Sequence, residues 1–217
     1  MTPPQARTAF PEIARELSEV GRDFYARGWA PGTSGNFSAV VTRDPFTLAV
    51  TASGVDKGCL EAASIILVDA EGNPVEGRGA PSAETLLHLA VARASGAGAI
   101  LHTHSIWSTI VSEDFAGEGG PVIEGYELLK GLEGVRTHEH RERLPIIENS
   151  QDMTALAASA EKVLSSFPRS HGFLIRRHGL YTWGSDLREA KRHIEVLEFL
   201  LEVIGRTRSG HLAVKRR

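Results

Sequence analysis

The chain has 217 residues and a formal net charge of −3, with 41% hydrophobic residues, 24% charged residues and nine histidines. This length buries about 70% of the unfolded surface in one domain, the composition excludes a disordered chain, and no basic excess exists to neutralise a phosphate backbone, which excludes nucleic acid as a first partner. The single cysteine, Cys59, excludes an internal disulfide framework and fits a reducing compartment.

Residues 5 to 27 predict an amphipathic helix, with Phe10, Ile13, Leu17, Val20 and Phe24 at helical spacing and Gly28 ending it. The turn 32–36 precedes two strands, Phe37 to Val41 and Phe46 to Thr51, and a second small-residue loop fills 51–58. Ile65 to Asp69 is a short strand followed by a turn at 71–74. A helix runs from Pro81-Ser82-Ala83-Glu84 to about Ala94, with Ser82 as its N-cap and Leu86, Leu87, Ala90, Val91 and Ala94 as its buried face. Ala99 to His104 is a buried strand, and Asp152 to Phe167 a helix capped by Ser150. Gly172 to Trp183 is a strand–turn–strand around His178-Gly179. Asp186 to about Arg206 is a helix capped by Ser185, and Gly210 to Arg217 is a basic, frayed tail. No strand–helix alternation or glycine triplet supports a dinucleotide fold, and no repeat or long linker divides the chain, so one α/β domain over 1–217 is expected. No apolar run approaches the ~18 residues of a membrane helix, and the start lacks the apolar core of a signal peptide. A cytoplasmic protein without membrane or nucleic-acid partners follows as the expectation.

The strongest chemical signal is Ile100-Leu101-His102-Thr103-His104. Residues i and i+2 of a strand share a face, so His102 and His104 project together and can share one ion. A catalytic zinc site takes three protein ligands and leaves one position open. His178, after a second apolar strand and before a glycine, is placed to be the third; nickel, iron and manganese accept the same ligands. Histidines 88, 138, 140, 171, 193 and 211 read as solvated or hydrogen-bonded side chains. Two loops, Gly32-Thr33-Ser34-Gly35-Asn36 and Thr51-Ala52-Ser53-Gly54, offer backbone N–H groups and hydroxyls without bulk, as anion-binding loops do. Ser82 opens a helix beside them, and Lys57 can supply a counter-charge, so a small phosphorylated substrate is expected. Glu84 and Glu127 are candidate acid/base groups that periodicity alone does not single out from helix-dipole or surface carboxylates. No Gly-x-Ser-x-Gly elbow or partnered cysteine indicates covalent catalysis. Trp107, Phe115 and Tyr126 are candidates for an apolar substrate pocket, or core.

Taken in order, Gly-Thr-Ser-Gly-Asn-Phe-Ser (32–38), Thr-Ala-Ser-Gly-Val-Asp-Lys-Gly (51–58), Pro-Ser-Ala-Glu (81–84), His-Thr-His-Ser (102–105) and Arg-Arg-His-Gly-Leu-Tyr-Thr-Trp-Gly (176–184) resemble the class II aldolase/adducin family over residues 6 to 208. Tyr-Glu-Leu-Leu-Lys-Gly (126–131) points to a dehydratase branch. The resemblance implies a three-layer α/β/α sandwich with a central, mainly antiparallel sheet, assembled as a homotetramer. It implies one zinc ion per subunit held by His102, His104 and His178, and a phosphate pocket from Ser34, Gly35, Asn36, Ser53, Gly54 and Ser82. The substrate implied is a small phosphorylated ketose, in the dehydratase branch a five-carbon one bearing a methylthio group. Glu127 would be the acid/base in that branch. A glutamate matching Glu84 has this role in the aldolases, and this chain keeps it. The alternatives are a sugar-phosphate aldolase, which breaks the C3–C4 bond, and a metal-free adducin-like interaction domain, which has no use for the three histidines.

Overall fold

The computed structural model describes residues 4–215, with side chains described for residues 9–208. The chain runs α1 (Pro4–Ala26), β1 (Asn36–Arg43), β2 (Phe46–Thr51), β3 (Ile65–Asp69), β4 (Pro74–Glu76), α2 (Thr85–Ser95), β5 (Ala99–Thr103), α3 (Ile106–Asp114), β6 (Val122–Ile123), β7 (Glu142–Arg143), β8 (Ile146–Ile147), α4 (Met153–Ser166), β9 (Gly172–Ile175), β10 (Gly179–Gly184) and α5 (Leu187–Lys215). Eight strands form one sheet in the order β4-β3-β2-β1-β5-β10-β9-β8. Every pairing in it is antiparallel except β8 with β9. Strands β6 and β7 pair separately. The expected three-layer sandwich is therefore present.

Alternation along the strands builds the two faces. On β5, Ala99 and Leu101 join Phe37, Ala39, Leu174 and Leu180 against α1 and α5, through Phe10, Leu17, Leu197 and Leu200. Ile100 points the other way, with Phe173, Ile175 and Tyr181, against Leu87 and Val91 of α2 and Leu156 and Ala160 of α4. Each fully buried Leu or Ile contributes about 1.5–3 kcal/mol. Because β5 is covered on both faces, His102 is withdrawn from solvent without any apolar neighbour having to be sacrificed.

Three helix starts differ from the sequence reading. Asp152, not Ser150, caps α4, its carboxylate accepting from the Thr154 and Ala155 amides at 3.0 Å. Asp186 accepts from the Glu189 amide at 2.7 Å at the start of α5, while Ser185 bonds the Glu189 carboxylate. Where Ser and Asp compete, the charged oxygen gains more from the helix dipole. Ser82 accepts from the Glu84 amide at 3.3 Å, three residues before the first of α2, whose N-cap position is Glu84. Leu86 faces outward at 40% exposure, whereas His88 and Leu89 are buried. The helix lies between sheet and α4, so its buried arc is wider than a one-sided stripe. Helix α3, absent from the sequence reading, starts at Ser105, whose hydroxyl accepts from the Ser108 amide at 3.0 Å. Helix α5 continues past Arg206 to Lys215. The side chains of the expected frayed tail, 210–217, and His211 with them, lie outside the described residues. Among the described residues no helix is long and apolar enough to cross a membrane.

Candidate metal centre

Sheet register places Asn36 of β1 and Tyr181 of β10 opposite His102 of β5, one on each side. Paired residues across neighbouring strands project to the same face, so the three side chains form one row. Tyr181 stacks on the His102 ring at 4.0 Å between centroids. The His102 Nδ1 lies 3.0 Å from the Leu180 carbonyl. A carbonyl only accepts, so Nδ1 carries the proton and Nε2 presents its lone pair.

His104 lies just past the end of β5, its amide donating to the Trp29 carbonyl at 2.7 Å. His178 hangs from the β9–β10 turn. Arg177, immediately before it, has a positive φ of 54°, a conformation that ordinary side chains avoid. Its amide donates to Ser112 at 2.9 Å, and its guanidinium, with that of Arg176, pairs with Glu113. These contacts hold the turn in the shape that aims His178 inward. Gly179 completes it, because a Cβ there would sit 2.0 Å from the Thr103 carbonyl oxygen and 2.9 Å from the His102 ring. Gly35 similarly approaches the His102 carbonyl, with φ at +74°.

The result is convergence. His178 Nε2 lies 3.3 Å from His102 Nε2 and 3.1 Å from His104 Nε2. A tetrahedral zinc with bonds of about 2.0–2.1 Å sets its ligand nitrogens about 3.3–3.4 Å apart. Burial pushes all three imidazoles below their ordinary pKa, His104 to about 2, with the neighbouring histidines adding to the shift at His102 and His104, so each ring is neutral and keeps one nitrogen lone pair. Three Nε2 atoms facing one another at this spacing, with His178 Nδ1 buried and without a partner, form a donor set that a cation would satisfy. The group fits a divalent metal, with Glu84 as a fourth donor: its carboxylate oxygens lie 3.6 Å from His102 Nε2 and 3.7 Å from His178 Nε2.

Glu84 is itself held from behind. The Tyr181 hydroxyl donates to one carboxylate oxygen, and the Asn36 amide nitrogen lies 3.3 Å from the other. Asn36 in turn accepts from His88 Nε2, and His88 Nδ1 accepts from Ser38 at 2.7 Å. Burial pushes His88 down to about 4 and raises the Tyr181 phenol far above its usual range, so His88 stays neutral and Tyr181 stays a donor. Sequence reading missed Tyr181 and the role of His88. The signal lay in the pairing register, which one strand alone does not carry. Asn36, predicted at the phosphate pocket, has its side chain engaged in this network.

Of the other predicted residues, Lys57 is 1% exposed and donates to the carbonyls of Thr33 and Val55 at 3.1 and 3.0 Å, with burial lowering its pKa. It links the two small-residue loops and adds positive potential at His104. Ser34 is half-buried and donates to the Pro31 carbonyl at 2.7 Å; Ser53 and Gly54 are exposed; Ser82 is buried. Glu127 stands on a 3-10 turn (Glu127–Gly131), 71% exposed, paired with Lys130 and 3.9 Å from His138. It is not among the donors that converge on the three histidines. Trp107, Phe115 and Tyr126 pack against the core, the first two beneath the guanidinium groups of Arg206 and Arg208.

A second group, His140, Glu142 and His171, is built differently. The His171 Nδ1 and amide face the Glu142 carboxylate at 2.9 and 2.8 Å, and its Nε2 faces the Glu133 carbonyl at 2.9 Å. Both ring nitrogens meet acceptors, so both carry protons, and the pair is a buried ion pair rather than a metal site. His171 is accordingly raised above 6.5 and Glu142 lowered below 4.5, against the desolvation that burial imposes on each. The pair's contribution should be full between those two ordinary values. It should fade as pH rises through the elevated His171 pKa, and again as pH falls through the depressed Glu142 pKa. Glu142→Gln should cost about 3–5 kcal/mol at pH 5.5, and less at pH 8.5. Urea unfolding of parent and variant at both values reads this; an equal cost at the two values would refute the charged pair.

The family profile described as Class II Aldolase and Adducin N-terminal domain matches residues 15–204. A methylthioribulose-1-phosphate dehydratase of Alcanivorax borkumensis is 44% identical over 201 residues, covering 92% of this chain and 93% of that protein. One of Xylella fastidiosa is 45% identical, covering 88% and 86%. The solved L-fuculose-1-phosphate aldolase of Thermus thermophilus superposes with a TM-score of 0.70 at 23% identity, covering 95% of this chain and 96% of that one, a likeness of fold.

Proposed function

The chain belongs to the family of class II aldolases and adducin N-terminal domains, and from that membership we propose that it is a zinc-dependent methylthioribulose-1-phosphate dehydratase. It removes water from 5-methylthioribulose 1-phosphate to give 2,3-diketo-5-methylthiopentyl 1-phosphate, a cytoplasmic step of methionine salvage. The observation that carries this reading is the meeting of three neutral histidine nitrogens with Glu84, in a chain collinear with 93% of a curated dehydratase.

In this reading His102, His104 and His178 hold zinc, one ion per subunit. When bound, such an ion stabilises negative charge developing on the sugar's carbonyl and hydroxyl oxygens. Glu127 takes the proton from C3 and delivers one to the departing C4 hydroxyl. The enol left behind then becomes the diketone. Glu84, fixed by Tyr181 and Asn36, stands beside the ligands as a fourth donor and orients what binds there. The loops at Ser34, Gly35 and Asn36 and at Ser53 and Gly54, together with Ser82 and Lys57, receive the phosphate. The subunits form a homotetramer, and the apolar side chains exposed just after the ligand strand, Ile106 at 71% and Ile110 at 37%, supply contact surface. An exposed Glu127 suits a site completed by substrate or by a neighbouring subunit.

A second reading has a specific observation in its favour. Glu84 lies where the sugar-phosphate aldolases of the resemblance keep their acid/base, within reach of the histidines. One assay separates the two. Purified protein given methylthioribulose 1-phosphate should form the diketone, and a chelator should stop it. No diketone, with dihydroxyacetone phosphate released from a ketose 1-phosphate instead, would replace the dehydratase reading by the aldolase one.

A further inference from the structure

At the end of β9 remote from His178, a cavity of about 370 Å³ is lined by His140, Arg141, Arg143, Ser166, Arg169 and Ser170, with Phe167 and Pro168 as its apolar wall. None of its lining residues is acidic. In a chain of net charge −3, three guanidinium groups around one cavity need an explanation.

Local ion pairs do not provide one. Glu142, buried beneath His140, accepts from the His171 amide and ring and from His140 at 2.8 to 2.9 Å. Its charge is therefore met by His171. Arg141 is paired with Glu124 at 2.7 Å on the outer rim. Among the described residues Arg143 has no carboxylate partner. One of its terminal nitrogens donates to the Glu118 carbonyl at 2.9 Å, its plane lies 5.8 Å from the Phe167 ring, and its Nε is buried without any hydrogen-bond partner. Among the described residues Arg169 makes neither a hydrogen bond nor an ion pair. Helix α4 ends at Ser166, and its dipole supplies only about half a negative charge against two unneutralised guanidinium groups.

We infer that this cavity is a second anion site, separate from the histidine centre, which takes the phosphoryl group of a small metabolite or free phosphate. Guanidinium forks match phosphate oxygens two at a time, and the Ser166 hydroxyl adds a neutral partner, whereas Ser170 donates to the carbonyls of Arg143 and Gly172 at 2.6 Å and only closes the cavity floor. The volume lies in the range of pockets for small molecules, about 300–1,000 Å³, and exceeds what phosphate alone fills. The Arg143 Nε is buried without an acceptor, so the donors a cavity ligand would meet are the second terminal nitrogen of Arg143 and the guanidinium of Arg169.

The test is titration of the purified protein with inorganic phosphate and, separately, ribose 5-phosphate, followed by calorimetry and ³¹P line broadening. Parent protein is compared with Arg169→Gln and with the Arg143→Gln/Arg169→Gln double variant. The double variant should lose one equivalent of bound anion per subunit, and Arg169→Gln should weaken that equivalent at least tenfold. Dehydration of methylthioribulose 1-phosphate should keep its kcat and KM within twofold. Tighter binding of ribose 5-phosphate than of phosphate assigns the site to a metabolite; equal binding assigns it to free phosphate. Arg169→Gln removes no described contact, so it keeps the test open if the double variant fails to fold. Stoichiometry and affinity unchanged in Arg169→Gln would overturn the inference. Failure of the dehydratase assay alone would leave it standing, because the site shares no residue with the histidine centre.

Discussion

His102→Ala should remove the bound metal and the activity together. The ring is fully buried, its Nδ1 is fixed by the Leu180 carbonyl and its face by Tyr181, so its Nε2 is the best-positioned of the three donors. Two remaining imidazoles fall short of the three protein ligands a catalytic zinc requires. The ion's share of charge stabilisation is several kcal/mol, so kcat should fall on the order of 10³-fold or more. Metal content by plasma emission should drop from one ion per subunit to near zero. His178→Ala is the companion measurement. That ring hangs from a turn rather than filling the sheet, so its loss leaves the core intact, and it should give the same double loss. Either variant with full metal content and parental activity would dismantle the proposed centre.

The second large effect divides the two glutamates. Glu127→Gln should lower kcat by about 10²–10⁴-fold, the usual yield of general acid–base help, while metal content and melting temperature stay at the parental values. A side chain 71% exposed, with Lys130 and His138 as its neighbours, carries little of the fold's stability. Glu84→Gln should behave differently. Its carboxylate accepts from Tyr181 and Asn36 and borders His102 and His178. An amide there turns an NH₂ toward donors and loses the negative charge facing the ion. Metal affinity should weaken about 10–100-fold, as for other groups that support metal ligands. The reverse pattern, with Glu127→Gln active and Glu84→Gln inactive at full metal content, would give the proton transfers to Glu84.

How much could be read from the chain depends on how local each cause is. The strand Ala99–His104 and the helices at 5–27, 152–167 and 186–206 were legible because apolar spacing repeats within a few residues of itself. The helix caps were less so. Serine and aspartate alternatives stand side by side at 150–152 and 185–186, and the choice turns on which oxygen reaches the first amides. Helix α3 was missed, since nine residues with few charges between two loops give little periodicity to read. The buried side of α2 was drawn too narrow, because α4, which covers its far side, lies more than fifty residues away in sequence.

The amino-acid order alone determined the chemistry available: two histidines two apart where a strand ends, a third before a glycine in a turn, and loops bare of side-chain bulk. The tertiary structure decided which of these groups share a space. The row Asn36–His102–Tyr181 exists only through strand register, and the network from Ser38 through His88 to Glu84 only through the packing of α2 on the sheet. The charged cavity at Arg143 likewise needs β7 and the end of α4 to meet. Residue type fixes what a group can donate or accept, and that is written locally. Which partner it finds depends on contacts between segments dozens of residues apart, and those are set by how the whole chain buries its apolar faces.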